Sequence, residues 1–212
     1  MSVKNCIAKG LCRLGISPTL LTLGGLALAA SSGFLAYEGH FFGAGVVLLA
    51  SGVFDLFDGA VAREAGKVTV FGGILDSSLD RYGDAFILGG ILFYFAGQGN
   101  GTAAMLAFSA LAGSFSISYI RARAECEIDD CRVGFWERGE RIVFLALGLL
   151  LNNLLLVLWV LGLFTHWTAL QRLWYSKQNA RPHFIFSSGR KHPAYYFKVS
   201  ILVLAVFFLR FQ

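Results

Sequence analysis

Charged residues are scarce in this chain. Only 15% of its 212 residues are Asp, Glu, Lys or Arg, and it contains only three prolines and four cysteines. Soluble domains contain about 25% charged residues. The composition therefore excludes a disordered segment, a collagen-like chain, a coiled coil and a disulfide-rich secreted scaffold. The 56% of hydrophobic residues exceeds what the core of a soluble domain of this size can bury, so the sequence predicts an all-α polytopic membrane protein.

Long apolar stretches predict a domain of six transmembrane helices over residues 17–175. A spanning helix needs about 20 mostly apolar residues. The first four candidate spans are residues 17–37, 41–57, 71–95 and 102–120. Two further spans share residues 142–173, with a break expected near Asn152-Asn153.

The two ends of the chain are predicted to lie outside this six-helix domain. In residues 1–16, Lys4, Lys9 and Arg13 alternate with apolar residues at the period of an amphipathic interfacial helix. Residues 176–212 are predicted to form a cytoplasmic loop followed by an apolar helix over 194–211. That extra C-terminal helix is either a seventh span or a helix packed at the membrane surface.

The basic residues lie on alternate sides of the predicted spans. The connections at residues 38–40, 97–101 and 152–153 contain no Lys or Arg, whereas the other connections do. Because basic loops stay in the cytoplasm, this pattern predicts a multi-pass protein of the cytoplasmic membrane with both ends of the six-helix domain inside. The net charge of +5 then suits anionic membrane lipids and does not indicate a nucleic-acid partner.

Four aspartates are expected to meet at the cytoplasmic edge of the membrane. Asp55 and Asp58 are three residues apart, and Asp76 and Asp80 are four apart, so each pair shares a helix face. Glycines between the pairs allow the chain to turn and set the two helices antiparallel. Unneutralised, these carboxylates would repel one another, and each ionised group within a span costs at least about 3 kcal/mol.

Divalent cations would remove this repulsion. Oxygen-only ligands favour Mg²⁺, Mn²⁺ or Ca²⁺ over zinc, and two such ions side by side serve phosphoryl-type displacements. Gly59 and Ala62 leave space beside Asp58 for a bulky ligand, and Arg63 can supply charge to a phosphate. The alternative is a solvated loop in which the aspartates pair with Arg63, Lys67 and Arg81.

The same stretch resembles the signature of the CDP-alcohol phosphotransferases, D-x2-D-G-x2-A-R-x8-G-x3-D-x3-D. Every spacing is met, at Asp55, Asp58, Gly59, Ala62, Arg63, Gly72, Asp76 and Asp80. The resemblance implies six transmembrane helices, a homodimer and a site for two Mg²⁺ (or Mn²⁺) ions that faces the cytoplasm. It also implies a reaction in which an alcohol hydroxyl attacks the phosphate of a CDP-linked substrate and displaces CMP.

The resemblance further implies roles for individual residues. Asp55, Asp58 and Asp76 would hold the metals, and Asp80 would both ligate a metal and act as the general base. The CDP-linked lipid would be bound at Gly59, Ala62, Arg63 and Gly72. One departure lies in the first helix, where members often have P-N-x-x-T. Here Thr19 follows Pro18, with Thr22 retained, which weakens any nucleotide role for position 19.

A second stretch resembles bacterial phosphatidylinositol phosphate synthases within this family. Residues 118–125 fit S-Y-x-K/R-A-R-A-E, and residues 134–141 fit G-x-x-E-R-x-E-R. The resemblance implies that the phosphate of inositol phosphate is bound by Ser118, Arg121, Arg123 and Arg172. The arginines are otherwise cytoplasmic anchors at helix ends, with Arg121 paired to Glu125. For residues 137–141, an ion-paired loop that shapes the site and direct substrate contact remain equal alternatives.

The sequence thus predicts an enzyme that joins inositol phosphate to a CDP-diacylglycerol-type lipid and releases CMP. A phosphatidylglycerophosphate synthase is the alternative in the same family. Ser77 and Arg81 disfavour it, because those enzymes usually have proline and lysine at the two positions. An ion transporter with intramembrane aspartates is the alternative from another class. The aspartates lie at one membrane edge and not along a path, which argues against transport.

Overall fold

The computed structural model describes residues 17–128, 130–131, 133–134 and 136–180, together with residues 9, 10 and 12. Within these residues it contains six helices and no strand, so the all-α prediction is confirmed for this part of the chain. The helices are α1 (Pro18–Tyr37), α2 (Phe41–Glu64), α3 (Val70–Gly97), α4 (Gly101–Ala124), α5 (Arg138–Leu150) and α6 (Leu154–Asn179). Most of the predicted interfacial helix 1–16 and the whole C-terminal helix 194–211 lie outside the described residues.

Short turns join the helices in pairs. Three residues connect α1 to α2, α3 to α4, and α5 to α6. Each turn has one residue with positive φ: Gly39 (83°), Gly99 (70°) and Asn152 (53°). Such a left-handed residue reverses the chain directly after a helix, and Gly and Asn tolerate it best. The break predicted near Asn152-Asn153 is therefore confirmed.

Side-chain caps define where helices α1 and α3 begin. Ser17 Oγ accepts a hydrogen bond from the Leu20 amide at 3.2 Å, and Pro18 occupies the first helical position of α1. Thr69 Oγ1 accepts a hydrogen bond from the Gly72 amide at 3.0 Å where α3 begins. These hydroxyls satisfy amide groups that the first turn of a helix leaves without a partner.

The α1 helix packs against both α2 and α3, whereas α2 and α3 do not pack directly on each other within the described residues. On the other side, α4 packs against α3 and α6, and α5 packs against α2 and α6. Buried Leu48, Ile91, Leu149 and Leu158 contribute to the common core. The arrangement leaves a cleft between α2 and α3 with α1 as its floor.

Four of the helices are long and apolar enough to cross a membrane: α1, α2, α4 and α6. Large apolar side chains such as Phe34, Phe42 and Leu163 are exposed on them, as expected of surfaces that contact lipid. In contrast, α3 has charged residues in its first half, and the 13 residues of α5 extend only about 20 Å. The structure therefore supports a membrane protein, and the count of six spans stays a prediction.

The backbones of helices α1 and α3 come into close contact at Gly33 and Gly90. A Cβ atom added at Gly90 would lie 2.0 Å from the carbonyl oxygen of Gly33, and one added at Gly33 would lie 2.3 Å from the oxygen of Phe86. Both atoms that would clash belong to the backbone, so a side-chain movement cannot relieve the contact. Small residues allow this kind of close helix approach in membrane proteins.

We expect Gly90→Ala to destabilise the folded protein by about 1–3 kcal/mol, because the added methyl group must push α1 and α3 apart. The change in stability is measured as a shift in melting temperature of the detergent-purified protein, with the folded fraction after heating monitored by size-exclusion chromatography. Gly89→Ala is the matched control, since a Cβ there would meet no atom of the described residues within 4 Å. Equal melting temperatures for the two variants would contradict the proposed close packing.

Candidate active site

The two aspartate pairs face the same cleft from opposite sides. Asp55 and Asp58 lie on the last turns of α2, and Asp76 and Asp80 lie on the first turns of α3. Asp80 is within electrostatic range of Asp55 and Asp76, and Asp58 is within range of the same two carboxylates. The structure thus places the four side chains that the sequence selected around one cleft, although within the described residues no three of them stand close enough to form a ligand cluster.

Arg138, the first residue of α5, lies between the two walls of the cleft. Its Nη1 forms ion pairs with Asp55 Oδ2 and with Asp80 Oδ1, the latter at 2.7 Å. Its side chain is about a quarter exposed, with 24% of its surface accessible. One guanidinium group therefore connects α2, α3 and α5 at the centre of the site.

Asp58 is held from the floor of the cleft. Thr22 on α1 donates a hydrogen bond from Oγ1 to Asp58 Oδ2 at 2.9 Å, and the Gly59 amide donates to Asp58 Oδ1. Asp58 is buried, so these two donors fix the orientation of its carboxylate. Thr22 is the threonine of the proline–threonine pattern in the first helix.

Asp55 lies directly against the backbone of α1. A Cβ added at Gly25 would be 2.9 Å from Asp55 Oδ1. Ser51, one turn earlier on α2, donates a hydrogen bond to the Gly25 carbonyl oxygen at 2.8 Å. The bare backbone at Gly25 thus creates the space that the Asp55 carboxylate fills.

The side chains of the cleft have the right chemistry for hard divalent cations. The donors are all carboxylate oxygens, which Mg²⁺ and Mn²⁺ prefer, although the guanidinium group of Arg138 is paired with two of the four carboxylates. Within the described residues no three acidic, histidine or cysteine side chains stand together as a ready ligand cluster. Arg138 occupies the place between Asp55 and Asp80. The site for two metal ions stays a prediction. The chemistry of the four carboxylate donors is compatible with it.

The residues predicted to bind the CDP-linked lipid lie at the two ends of the α2–α3 connection. Gly59, Ala62 and Arg63 are on the last turns of α2, and Gly72 is in the first turn of α3. A Cβ at Gly59 would lie 3.5 Å from Arg63 Nη1, so the guanidinium group folds back towards the glycine. The Gly72 amide donates a hydrogen bond to Thr69 Oγ1, so in this structure Gly72 takes part in the N-terminal cap of α3.

The residues predicted to bind the acceptor phosphate do not form one group. Ser118 and Arg121 line an open groove of about 720 Å³ between α3 and α4, together with Ser77, Ser78 and Arg81. Arg121 Nε forms an ion pair with Glu125 at 2.8 Å, which is the alternative partner expected from the sequence.

The other two predicted phosphate ligands lie outside this groove. Arg123 is exposed and pairs with Glu127 at 3.0 Å. Arg172 is buried and donates from Nε to the Val133 carbonyl at 2.8 Å and from Nη1 to the Ile117 carbonyl at 3.0 Å. Two nitrogens of Arg172 are thus engaged by the backbone. A phosphate-binding role for Arg123 and Arg172 stays a prediction, and the observed contacts give them other partners.

Sequence reasoning assigned no role to one residue that the structure places in the site, Asp84, and no partner to two others, Arg138 and Thr22. Residues 137–141 remained divided between an ion-paired loop and substrate contact, and the structure shows ion pairs from Arg138 and Arg141 into the cleft. The available signal was helical spacing. Asp84 lies four residues after Asp80, and Arg141 lies three residues after Arg138, so each pair shares a helix face.

Comparison with known proteins identifies the family. The family model for CDP-alcohol phosphatidyltransferases matches residues 15–175, which include every helix of the cleft. The chain therefore belongs to the CDP-alcohol phosphatidyltransferase family, and it is an enzyme of that family.

Two named relatives are similar to this chain over most of its length. The chain is 35% identical over 173 residues to an archaetidylinositol phosphate synthase of Pyrococcus horikoshii, covering 81% of this chain and 89% of the relative. It is 34% identical over 167 residues to a phosphatidylinositol phosphate synthase of Cutibacterium acnes, covering 78% of this chain and 79% of the relative.

Solved structures of the Mycobacterium tuberculosis phosphatidylinositol phosphate synthase share the fold. The structure with CDP-DAG bound superposes with a TM-score of 0.78 at 30% identity, covering 89% of this chain and 99% of that chain. The structure in complex with manganese and citrate gives a TM-score of 0.79 at 29% identity, covering 88% and 94%.

We expect Gly25→Ala to lower the rate of CMP release roughly 10-fold, because the methyl group would displace the Asp55 carboxylate by about half an ångström. The rate at saturating substrate measures the effect. Gly52→Ala is the control on the adjacent helix, since its Cβ would make an ordinary 3.7 Å contact with Ile142. Wild-type turnover in the Gly25 variant would show that the position of Asp55 does not limit the reaction.

Proposed function

We propose that this chain joins inositol phosphate to a CDP-diacylglycerol-type lipid, releasing CMP and forming a phosphatidylinositol phosphate. The observation that carries the proposal is the adjacency of two features along α3. The groove that contains Ser118 and Arg121 also contains Arg81, and Arg81 Nη1 lies 3.9 Å from Asp80 Oδ2 in the aspartate cleft. An anion bound in the groove would therefore lie beside the carboxylate that we assign as the base.

The names of the relatives support this acceptor. The Pyrococcus and Cutibacterium proteins differ in the lipid part of their names, archaetidyl and phosphatidyl, but both are named as inositol phosphate synthases. Their shared acceptor suits a groove lined by three serine hydroxyls and two arginines. A phosphomonoester has a charge of about −1.5 to −2, and arginine binds such a group with charge-assisted hydrogen bonds.

In the proposed mechanism, Asp80 accepts the proton of the attacking hydroxyl. The hydroxyl oxygen forms a bond to the lipid-linked phosphorus while the bond from that phosphorus to the CMP oxygen breaks. A base must lie within hydrogen-bond reach of its proton, and Asp80 lies where the aspartate cleft and the groove meet. Asp80 Oδ1 is bound by Arg138, which leaves Oδ2 on the side of Arg81.

Asp55, Asp58, Asp76 and Asp80 would hold two Mg²⁺ or Mn²⁺ ions. Such ions, when bound, neutralise the pyrophosphate and the CMP leaving group. The all-carboxylate donor set supports this assignment, as does the manganese in the Mycobacterium tuberculosis structure. The Thr22 hydroxyl and the Gly59 amide orient Asp58 for this role.

We place the CDP-linked lipid along the exposed side of α2 at Gly59, Ala62 and Arg63, with Gly72 opposite. Gly59 has no side chain to exclude the nucleotide, and the Arg63 guanidinium lies beside it to receive a phosphate. The lipid chains would then run from the cleft along the apolar helices into the bilayer.

The proposal also includes the setting of the enzyme. Basic residues flank the aspartates in the connections at residues 63–67 and 121–141, so we place the active site at the cytoplasmic face of the cell membrane. We further propose a homodimer, as the family resemblance implies.

A release assay tests the function. Purified protein is mixed with CDP-diacylglycerol and with inositol phosphate, inositol or glycerol 3-phosphate, and free CMP is measured. We expect turnover with inositol phosphate, its loss in EDTA, and recovery on adding Mg²⁺ or Mn²⁺. Asp80→Asn is the inactive control, because an amide cannot accept the proton. Turnover with glycerol 3-phosphate alone would contradict the proposed acceptor.

A pair of arginine variants tests the acceptor groove. We expect Arg121→Ala to raise the KM for inositol phosphate about tenfold or more, because it removes a charge-assisted contact, while the KM for the CDP-lipid stays unchanged. Arg123→Ala is the matched comparison, since this exposed arginine is on the same helix but outside the groove. Equal increases from both variants would instead support the wider arginine cluster predicted from the sequence.

A further inference from the structure

Asp84 is a fifth aspartate of the cleft and lies outside the family signature. It is on α3, one helical turn after Asp80. Its Oδ1 lies 3.5 Å from Arg138 Nε, and its Oδ2 lies 3.6 Å from Arg141 Nη2. Each carboxylate oxygen thus faces a different arginine, and both arginines are on consecutive turns of α5.

The burial of these groups is extensive. The side chain of Asp84 is 12% exposed, and that of Arg141 is 7% exposed. Breaking a buried ion pair by removing one partner leaves an uncompensated charge and has a large energetic cost. Asp84 therefore strongly restrains where the two guanidinium groups can lie.

The restraint on Arg138 extends to the aspartates of the signature. Arg138 is paired with one oxygen of Asp55 and one oxygen of Asp80, and its Nη2 lies 3.5 Å from the Asp80 carbonyl oxygen. When a hydrogen bond holds one oxygen of a carboxylate, it also sets the direction in which the other oxygen points. Hydrogen-bonded partners of a metal ligand set both its orientation and its affinity for the metal.

We propose that Asp84 is a positioning residue for the metal site. Its carboxylate holds Arg138 by an ion pair at Nε, an atom that makes no hydrogen bond within the described residues, and Arg138 in turn sets the orientation of Asp55 and Asp80. This inference rests on the proposed function, in which Asp55 and Asp80 hold divalent ions. Asp84 itself contacts neither substrate nor metal.

The geometry favours this role over simple charge balance. Charge balance alone would require only that an anion lie near the two arginines. Asp84 instead approaches Arg138 at Nε, which leaves the Nη1 and Nη2 atoms for Asp55 and Asp80. An acidic group on the other side of the guanidinium would compete with the signature aspartates for those atoms.

Manganese binding tests the proposal directly. Mn²⁺ affinity of the purified protein is measured by electron paramagnetic resonance without substrates, and kcat and KM are measured separately by CMP release. We expect Asp84→Asn to weaken Mn²⁺ binding about 10- to 100-fold and to lower kcat similarly. The KM values for both substrates should change less than about twofold, because neither substrate contacts Asp84.

Two further variants make the test specific. Asp84→Glu retains the charge and should recover part of the Mn²⁺ affinity. Glu38→Gln removes an exposed acid at the opposite end of α1, about 24 Å along the helix from Thr22, and should behave as wild type.

A variant of the arginine covers the case in which Asp84→Asn does not fold. Arg138→Lys retains the positive charge but cannot reach three aspartates at once, so it should weaken Mn²⁺ binding in the same way. Wild-type Mn²⁺ affinity and kcat in either folded variant, with only a lower melting temperature, would overturn the proposal. Failure of the wild-type protein to bind Mn²⁺ or to release CMP would count against the proposed function instead.

Discussion

The arrangement of this protein depends on the electrostatic cost of placing several carboxylates at one end of an apolar helix bundle. Asp55, Asp58, Asp76, Asp80 and Asp84 enter the cleft from two helices, and among the described residues Arg138 and Arg141 enter it from α5. Mutual repulsion would open such a cleft if nothing offset it. The short α5 helix is therefore a functional element: it delivers both guanidinium groups to the place where the carboxylates concentrate.

The floor of the cleft is as important as its walls. Because α2 and α3 both pack on α1 and not on each other, the width of the cleft is set by how closely each helix approaches α1. On the α2 side the bare backbone of Gly25 admits Asp55, and on the α3 side Gly33 and Gly90 bring the backbones into contact. Small residues on α1 and α3 thus set the distance between the two carboxylate pairs.

Much of this site could be predicted because the residues that define it lie close together in the sequence. The two aspartate pairs, the break near Asn152-Asn153 and the start of the first helix at Ser17 follow from residues a few positions apart. The pairing of Arg138 with Asp55 joins residues 83 apart in sequence, and helical spacing alone could not select that partner. The same limit applies to Arg172, whose two carbonyl partners lie on segments that only the folded bundle brings beside α6.

The carbonyl contacts of Arg172 have a mechanical consequence. By holding Val133 and Ile117 together, Arg172 fastens the segment between α4 and α5 to the last helix of the bundle. That segment leads directly into α5 and so influences where α5 begins. The first residue of α5 is Arg138, which lies in the centre of the cleft. A displacement of α6 by a neighbouring molecule or by local bilayer thickness would therefore be transmitted, through one side chain and a short tether, to the spacing of the carboxylates in the cleft.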